Sequence, residues 1–305
     1  MRRPVPWLLA SLVVVLTAAG LAAAVEVPSG RAMTKSAAGR TARPLPVGAA
    51  ASVSEPVVLP APTTTVPPPP TTTTVTAAPA ARRAPPHVVL WGDSLAVESA
   101  AFFAEAVQAT GATAETRTMG GTAPCDWYAE ILQRSAAAPV DVALLMFSGN
   151  SRTPCMRAPD GRFLAGAAKV EKYRADVGGL AAHLRGLGGV VYLIGPPVMR
   201  PDFEPNRVEA LLGLYRDLAG ERDGVFFADA GSAVLAEGGY AERLPCLPSE
   251  GDDHGCVGGT IAVRSPDGVH FCPTATQGSC PVYSSGAVRF AAAMAATAKI
   301  ATQAF

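Results

Sequence analysis

Aromatic residues are confined almost entirely to the part of the chain that follows residue 86. Of the 3 Trp, 6 Tyr and 10 Phe residues, only Trp7 lies in the first 86 positions. Residues 27–86 instead contain 13 of the 28 prolines. A segment without aromatic side chains cannot bury enough apolar surface to offset the entropy lost on ordering it. The sequence therefore predicts that residues 87–305 form the folded domain.

A hydrophobic segment lies at the N-terminus. Arg2 and Arg3 precede an uncharged stretch of 21 residues from Val5 to Val25. As a helix this stretch would be about 31 Å long, which is enough to cross a bilayer core. It ends in Ala22-Ala23-Ala24, which also suits a signal-peptidase site. Residues 1–26 are thus predicted to be a cleaved signal peptide or a membrane anchor, and both place the rest of the chain in the cell envelope or outside the cell.

Residues 27–86 are predicted to be a disordered linker. Pro67–Pro70 are flanked on both sides by runs of threonine. Proline favours extended polyproline II, so the tract would be a semi-rigid spacer, and such Thr- and Pro-rich stalks are often O-glycosylated. A plain disordered spacer is the alternative. Either would hold the folded domain away from a membrane or through a cell wall.

The charges are divided unequally between the two parts of the chain. Residues 1–86 carry a net charge of +6 and residues 87–305 a net charge of −6, so that the whole chain is neutral. A nucleic-acid-binding domain needs a clustered basic face. The acidic folded part therefore argues against nucleic acid as a partner.

All six cysteines follow residue 87: Cys125, Cys155, Cys246, Cys256, Cys272 and Cys280. An even number in an exported chain indicates disulfides. Short loops favour Cys246–Cys256 and Cys272–Cys280, which leaves Cys125–Cys155, although spacing does not prove proximity. The alternative is a metal site that uses Cys246, His254, Cys256 and Asp252 or Asp253. No C-x-x-C spacing supports a metal, so none is predicted.

Short apolar runs alternate with helical patterns through the folded part. Apolar runs predict strands at residues 87–91, 140–147, 190–194 and 225–228, and a weak alternation predicts another at 114–119. The predicted helices are 95–110, 167–187, 205–220 and 284–302. Residues 238–283 are predicted to be a long irregular segment. This alternation predicts an α/β domain with a parallel sheet covered on both faces. Ligands bind at the carboxyl ends of such strands, where Ser94, Gly120, Ser148–Asn150 and Gly195–Pro197 are all expected.

Ser94 is the candidate nucleophile at that rim. A serine hydroxyl needs a base, and the candidate is His270 in the segment Asp267-Gly268-Val269-His270. If the segment turns at Gly268, Asp267 can reach the second imidazole nitrogen. His87 and His183 are predicted to be structural or surface residues. The Asn150 side chain and backbone N–H groups near Ser94 and Gly120 could together stabilise an oxyanion.

In their order along the chain, these residues resemble the four sequence blocks of the SGNH (GDSL-type) hydrolases. The matching blocks are Gly92-Asp93-Ser94-Leu95, Gly120, Gly149-Asn150 and Asp267-Gly268-Val269-His270, and the resemblance covers about residues 87–303. It implies a three-layer α/β/α flavodoxin-like sandwich with five parallel strands and no metal or cofactor. It also implies a triad of Ser94, His270 and Asp267, with an oxyanion hole from Ser94, Gly120 and Asn150. Gly121 is an adjacent alternative to Gly120.

The resemblance predicts an exported serine esterase that hydrolyses a small acyl ester. The expected substrate is a short-chain O-acetyl ester, on a cell-wall or surface carbohydrate. Three alternatives remain open: acyl transfer to a glycan by the same residues, a non-catalytic module tethered at the cell wall, and a lipase. A membrane is expected as a partner only through the N-terminal segment, if that segment is uncleaved.

Overall fold

Five parallel strands form the central sheet of the fold. A computed structural model describes residues 84–201, 207–237, 239–274 and 278–303. The strands are β1 (His87–Gly92), β2 (Thr113–Thr118), β3 (Val142–Met146), β4 (Val190–Ile194) and β5 (Val225–Ala228). Their order across the sheet is β2-β1-β3-β4-β5, and each neighbouring pair is parallel. This is the flavodoxin-like order, so the predicted fold class is confirmed.

Helices cover both faces of this sheet. One face carries α1 (Ser94–Gln108) and α5 (Ser285–Thr302), and the other carries α2 (Tyr128–Ala137), α3 (Gly166–Gly186) and α4 (Arg207–Glu221). Val88 and Leu90 of β1 pack into the first layer, whereas Val89 and Trp91 pack into the second. Because successive side chains enter different cores, the strand is apolar throughout rather than alternating. This is why short apolar runs identified β1 and β3 in the sequence, whereas β2, which is exposed or half-buried, showed only a weak alternation.

Two parts of the chain differ from the prediction. Helix α2 was not expected, and its sequence explains why: Ile131 and Ser135 are its buried residues, so it lacks a continuous apolar stripe. Residues 238–283 are not wholly irregular. They contribute to two antiparallel ribbons, in which β6 (Leu235–Ala236) pairs with β7 (Gly239–Tyr240) and β8 (Arg243–Pro245) with β9 (Thr260–Ala262). Strands of two or three residues are too short to show an alternating pattern.

All six cysteines form disulfides. The pairs are Cys125–Cys155, Cys246–Cys256 and Cys272–Cys280, which are separated by 30, 10 and 8 residues along the chain. The first pair links the loop after β2 to the loop after β3. The second removes both thiolates from the alternative metal site with His254 and Asp252 or Asp253, so that alternative is not supported. The third closes the loop that follows His270.

A buried carboxylate connects the ribbon region to α5. The Glu250 side chain has no exposed surface and forms an ion pair with Arg289 at 2.9 Å. It also accepts hydrogen bonds from the Leu247 N–H at 2.6 Å and the Tyr283 hydroxyl at 3.0 Å. Burial alone would raise the pKa of Glu250, but these bonds and one from Ser285 outweigh it and lower that pKa to about 2. Glu250 is therefore a fixed negative charge at the start of α5.

The predicted signal peptide or anchor of residues 1–26 lies outside the described residues, as does the linker up to residue 83. Within the ranges that the structure describes, no helix is both long enough and apolar enough to cross a membrane.

Candidate active site

The predicted site residues meet at the carboxyl ends of the strands. Ser94 follows β1, Gly120 follows β2 and Asn150 follows β3. Asp267 and His270 come from the segment between β9 and α5. All five residues line one cavity of about 820 Å³. The topology of the sheet thus brings together residues from opposite ends of the domain.

A tight connection between β1 and α1 positions Ser94. Gly92 ends β1 so close to β3 that an added Cβ would lie 2.5 Å from the Met146 carbonyl oxygen, so no side chain fits there. Asp93 then caps the helix, since its carboxylate accepts a hydrogen bond from the Leu95 N–H at 3.2 Å. Ser94 is the first residue of α1. Its own N–H therefore has no partner within the helix and lies at the positive end of the helix dipole.

Ser94, His270 and Asp267 form a continuous chain of contacts. Nε2 of His270 lies 2.9 Å from Oγ of Ser94, and Nδ1 of His270 lies 2.7 Å from Oδ2 of Asp267. An ionised Asp267 accepts the proton on Nδ1, which leaves the lone pair of Nε2 facing the serine hydroxyl. The arrangement can thus take a proton from Ser94.

The turn at residues 267–270 fixes this geometry. Gly268 has φ +75°, a left-handed conformation that favours glycine. The turn lets Oδ1 of Asp267 accept hydrogen bonds from the N–H groups of Val269 at 2.8 Å and His270 at 3.0 Å. Burial raises the pKa of Asp267, but the hydrogen bonds from His270 and Val269 outweigh it, so the net effect is to lower that pKa. Asp267 is thereby held in its charged form beside the imidazole.

The Asn150 side chain is held by the carboxylate of Asp93. Nδ2 of Asn150 donates to Oδ2 of Asp93 at 3.0 Å, and the Tyr173 hydroxyl donates to the Asn150 carbonyl at 2.8 Å. The same Asp93 oxygen accepts from the N–H and the hydroxyl of Ser148, at 2.6 and 2.7 Å. An amide carries two N–H donors, so the contact with Asp93 occupies one of the two. Asn150 is therefore oriented at the cavity by contacts on both its side chain and its main chain.

The role of Asp93 was not predicted from the sequence. Asp93 is fully buried, and its two oxygens connect the helix that carries Ser94 to the loop that carries Asn150. The available signal was an aspartate directly before a helix, which is a typical N-cap. That signal predicts the contact with the helix. It does not predict the three hydrogen bonds that Asp93 accepts from Ser148 and Asn150, which follow β3.

Gly120 and Gly121 both line the cavity. An added Cβ at Gly120 would lie 3.8 Å from the Cβ of Ser94, so its backbone passes beside the nucleophile. Gly121 has φ +75° and forms the turn that follows. Of the two glycines, Gly120 is accordingly the one that an added side chain would bring into contact with Ser94.

The disulfide Cys125–Cys155 joins the two loops that carry these oxyanion candidates. Cys125 lies five residues after Gly120, and Cys155 lies five residues after Asn150. A covalent link at this distance restricts the loops against moving apart.

The other histidines lie elsewhere in the described part of the chain. His87 contacts Arg134 at the start of β1, and the ring of His254 packs on the ring of Tyr283. Gly195–Pro197, expected at the same rim, are not among the described residues that line the cavity.

A second serine–histidine contact, at the same separation as that of Ser94 and His270, occurs outside the cavity. Nε2 of His183 lies 2.9 Å from Oγ of Ser135. Ser135, however, donates its hydroxyl to the Ile131 carbonyl at 2.7 Å, which is an ordinary contact within a helix. A serine hydroxyl that donates to a carbonyl is not poised to give its proton to a base.

The sequence from residue 87 to residue 278 matches a family described as "Protein of unknown function (DUF459)". No curated protein matches the sequence. The match includes Ser94, Asn150, Asp267 and His270, so the whole candidate site lies within it.

Several solved structures of acyl-group enzymes are similar to this chain. A lipase/acylhydrolase from Enterococcus faecalis is 14% identical, with a TM-score of 0.48 over 70% of this chain and 95% of that one. The catalytic domain of a peptidoglycan O-acetyltransferase from Streptococcus pneumoniae is 15% identical, with a TM-score of 0.44 over 72% and 97%. A mutant acetylxylan esterase from Geobacillus stearothermophilus is 15% identical, with a TM-score of 0.39 over 48% and 77%. Similarities this distant do not assign an activity, so function is inferred from the residues of the site itself.

Proposed function

The chain belongs to the DUF459 family, and we propose that it is an exported serine ester hydrolase. One observation carries the proposal: Ser94, His270 and Asp267 are joined by contacts of 2.9 and 2.7 Å at the rim of a cavity. A nucleophile, a base and a residue that orients the base, in this order, are the requirements for covalent catalysis by serine.

In the first half of the reaction, Oγ of Ser94 attacks the ester carbonyl carbon while Nε2 of His270 takes the hydroxyl proton. The carbonyl oxygen becomes an oxyanion, which accepts hydrogen bonds from the N–H groups of Ser94 and Gly120 and from the amide of Asn150. Asp267 stabilises the imidazolium without taking the proton. The C–O bond then breaks, and the alcohol leaves with the proton from His270.

In the second half, water attacks the acyl group on Ser94 while His270 takes one of its protons. Collapse of the second oxyanion releases a carboxylic acid and returns the proton to Ser94. The side chains of His270 and Asp267 are 34% and 47% exposed, so water reaches the base directly. The same exposure lets a second alcohol reach the acyl group, so the products distinguish hydrolysis from acyl transfer.

The walls of the cavity support a small acyl group and a polar alcohol. Polar side chains on β2 and on the loop closed by the third disulfide line it, and polar and apolar surfaces contribute about equally. The apolar members among the described lining residues are Val97, Ala100 and Met119. A long acyl chain would need a deeper apolar channel to gain from burial. We therefore propose an acetyl or similarly short ester, with a carbohydrate as the alcohol.

Export is supported by the cysteines and by the N-terminal sequence. The described residues contain three disulfides and no free cysteine, a pattern typical of oxidising compartments. The uncharged stretch Val5 to Val25 provides a signal peptide or an anchor.

The test is ester hydrolysis by the purified chain and its Ser94→Ala variant. Initial rates are measured on p-nitrophenyl esters from acetate to decanoate and on acetylated xylan, with products analysed with and without an acceptor sugar. We expect turnover that falls with acyl length, none above background in Ser94→Ala, and free acetate as the main product. Ser135→Ala is the matched control, because it alters the serine–histidine contact outside the cavity. Turnover in Ser94→Ala at the wild-type rate would remove the proposal.

A further inference from the structure

Glu98 is a buried acid that the mechanism above leaves unused. It lies one helical turn after Ser94 on α1, is 4% exposed and lines the same cavity. One of its oxygens, Oε2, accepts hydrogen bonds from the N–H of Phe271 at 2.6 Å and the N–H of Cys272 at 3.3 Å. These are the two residues that directly follow His270.

The contact links the helix of the nucleophile to the segment of the base. Ser94 is the first residue of α1, and Glu98 is the fifth, so a rigid turn of helix fixes the distance between them. His270 instead lies in Asp267–Cys272, a segment that has no helix or strand of its own. Glu98 therefore anchors that segment to the element that carries the nucleophile.

A buried cation also contacts the same segment. Arg264 is 4% exposed and donates to the carbonyl of Val269 at 3.2 Å and to the carbonyl of Val198 at 3.0 Å. Burial lowers the pKa of Arg264 to about 10, so it remains charged at neutral pH. Arg264 thus holds the carbonyl of the residue before His270, and Glu98 holds the N–H groups of the two residues after it.

We infer that Glu98 is a positioning residue, whose oxygen holds the backbone after His270 so that the imidazole stays within reach of Ser94. The inference rests on the proposed function, since His270 matters in this way only as the base for Ser94. Burial raises the pKa of Glu98, while the two N–H groups oppose that rise. The hydrogen bonds need only an acceptor oxygen, however, which a neutral amide also provides.

Three substitutions separate this role from others. Glu98→Ala removes the acceptor, Glu98→Gln keeps an acceptor oxygen and removes the charge, and Glu105→Gln alters an exposed acid on the same helix. We expect Glu98→Ala to lower kcat by about 10- to 100-fold with little change in KM, as displacement of a catalytic group by about 1 Å does. Glu98→Gln should keep most of the wild-type kcat, and Glu105→Gln all of it.

Rates are expressed per folded molecule, with the folded fraction taken from circular dichroism. A wild-type kcat in Glu98→Ala would overturn the inference. So would an equal loss of kcat in Glu98→Gln and Glu98→Ala, because charge rather than backbone support would then be responsible.

A spectroscopic measurement keeps the inference separate from the esterase proposal. In protein labelled with nitrogen-15 at histidine, the NMR signal of Nε2 of His270 should carry a shift from the hydrogen bond that it accepts from Ser94. That shift should be lost in Glu98→Ala and persist in Glu98→Gln, whether or not the wild type hydrolyses esters. If the wild type has no ester turnover but the signal follows this pattern, the proposed function fails and the positioning role stands. An unchanged signal in Glu98→Ala overturns the positioning role.

Discussion

Asp93 offers the sharpest test of how the oxyanion side of the site is built. Asp93→Ala removes the carboxylate that holds the Asn150 amide and the N–H and hydroxyl of Ser148. Asp93→Asn is the matched variant, since it keeps one oxygen. In Asp93→Asn, the remaining oxygen can accept from Asn150 and from the N–H and hydroxyl of Ser148. The amide nitrogen then faces the Leu95 N–H, so only the hydrogen bond that caps the helix is lost.

The contacts set the size of the expected effect. The main chain at Asn150 stays tied to Tyr173 when Asp93 is truncated, so on the oxyanion side the loss is confined to the orientation of the Asn150 amide. With the first turn of α1 still in place, the expected loss is that of one oxyanion donor, about 10²- to 10³-fold in kcat. Stability should fall by about 2–4 kcal/mol, from the lost helix cap and the buried Ser148 N–H left without an acceptor. Asp93→Asn should stay within about tenfold of the wild-type kcat, because a neutral acceptor weakens these hydrogen bonds without removing them.

A double-mutant cycle with Asn150→Ala provides the assay. The kcat on p-nitrophenyl acetate is measured for the two single variants and for Asp93→Ala/Asn150→Ala, with urea denaturation of each. If Asp93 acts through Asn150, the double variant is no slower than Asn150→Ala alone, because the same donor is lost only once. Losses that multiply in the double variant would show that Asp93 acts through another group, and a wild-type kcat in Asp93→Ala would refute the reasoning altogether.

Two further predictions concern the base and the acid stability of the fold. His270→Ala should lower ester turnover by roughly 10⁴-fold or more, whereas His254→Ala should keep most of it because its ring packs on Tyr283 outside the cavity; initial rates on p-nitrophenyl acetate check both, and the reverse order would move the base elsewhere. The pKa of Glu250 is lowered from 4.5 to about 2, so its ionised form contributes about 3 kcal/mol to stability above about pH 4.5, and this contribution disappears as the pH falls towards 2. Glu250→Gln should therefore be less stable at pH 7 and lose less stability between pH 7 and pH 3 than the wild type, as measured by urea denaturation; parallel losses in the two proteins would contradict the role of Glu250.

Most of the central sheet could be predicted from the sequence because β1 and β3 are buried on both faces and β4 and β5 are also apolar runs. The predicted bounds of Val190–Ile194 and Val225–Ala228 match the strands in the structure, because turn residues mark both ends of each apolar run. Helix α2 could not be found in this way, because its contacts come from a short face with few apolar residues. The ribbons between residues 235 and 262 are too short for any periodic signal.

The residues of the candidate site could likewise be predicted only where the sequence signal is local. Ser94, His270 and Asp267 could be proposed because each lies in a short segment whose chemistry is visible in the sequence. The contacts that position them could not, because they join residues far apart in the chain. Asp93 meets Asn150 57 residues later, and Glu98 meets Phe271 173 residues later. Only the order of the strands, which a local pattern does not fix, brings such residues together.

The contact between Ser94 and His270 closes across 176 residues of the sequence. A molecule cut after β5 would retain the nucleophile and the sequence of all five strands, but it would lack the proton acceptor and also helix α5, which covers one face of the sheet. Ester turnover therefore depends on the last quarter of the polypeptide as much as on Ser94 itself.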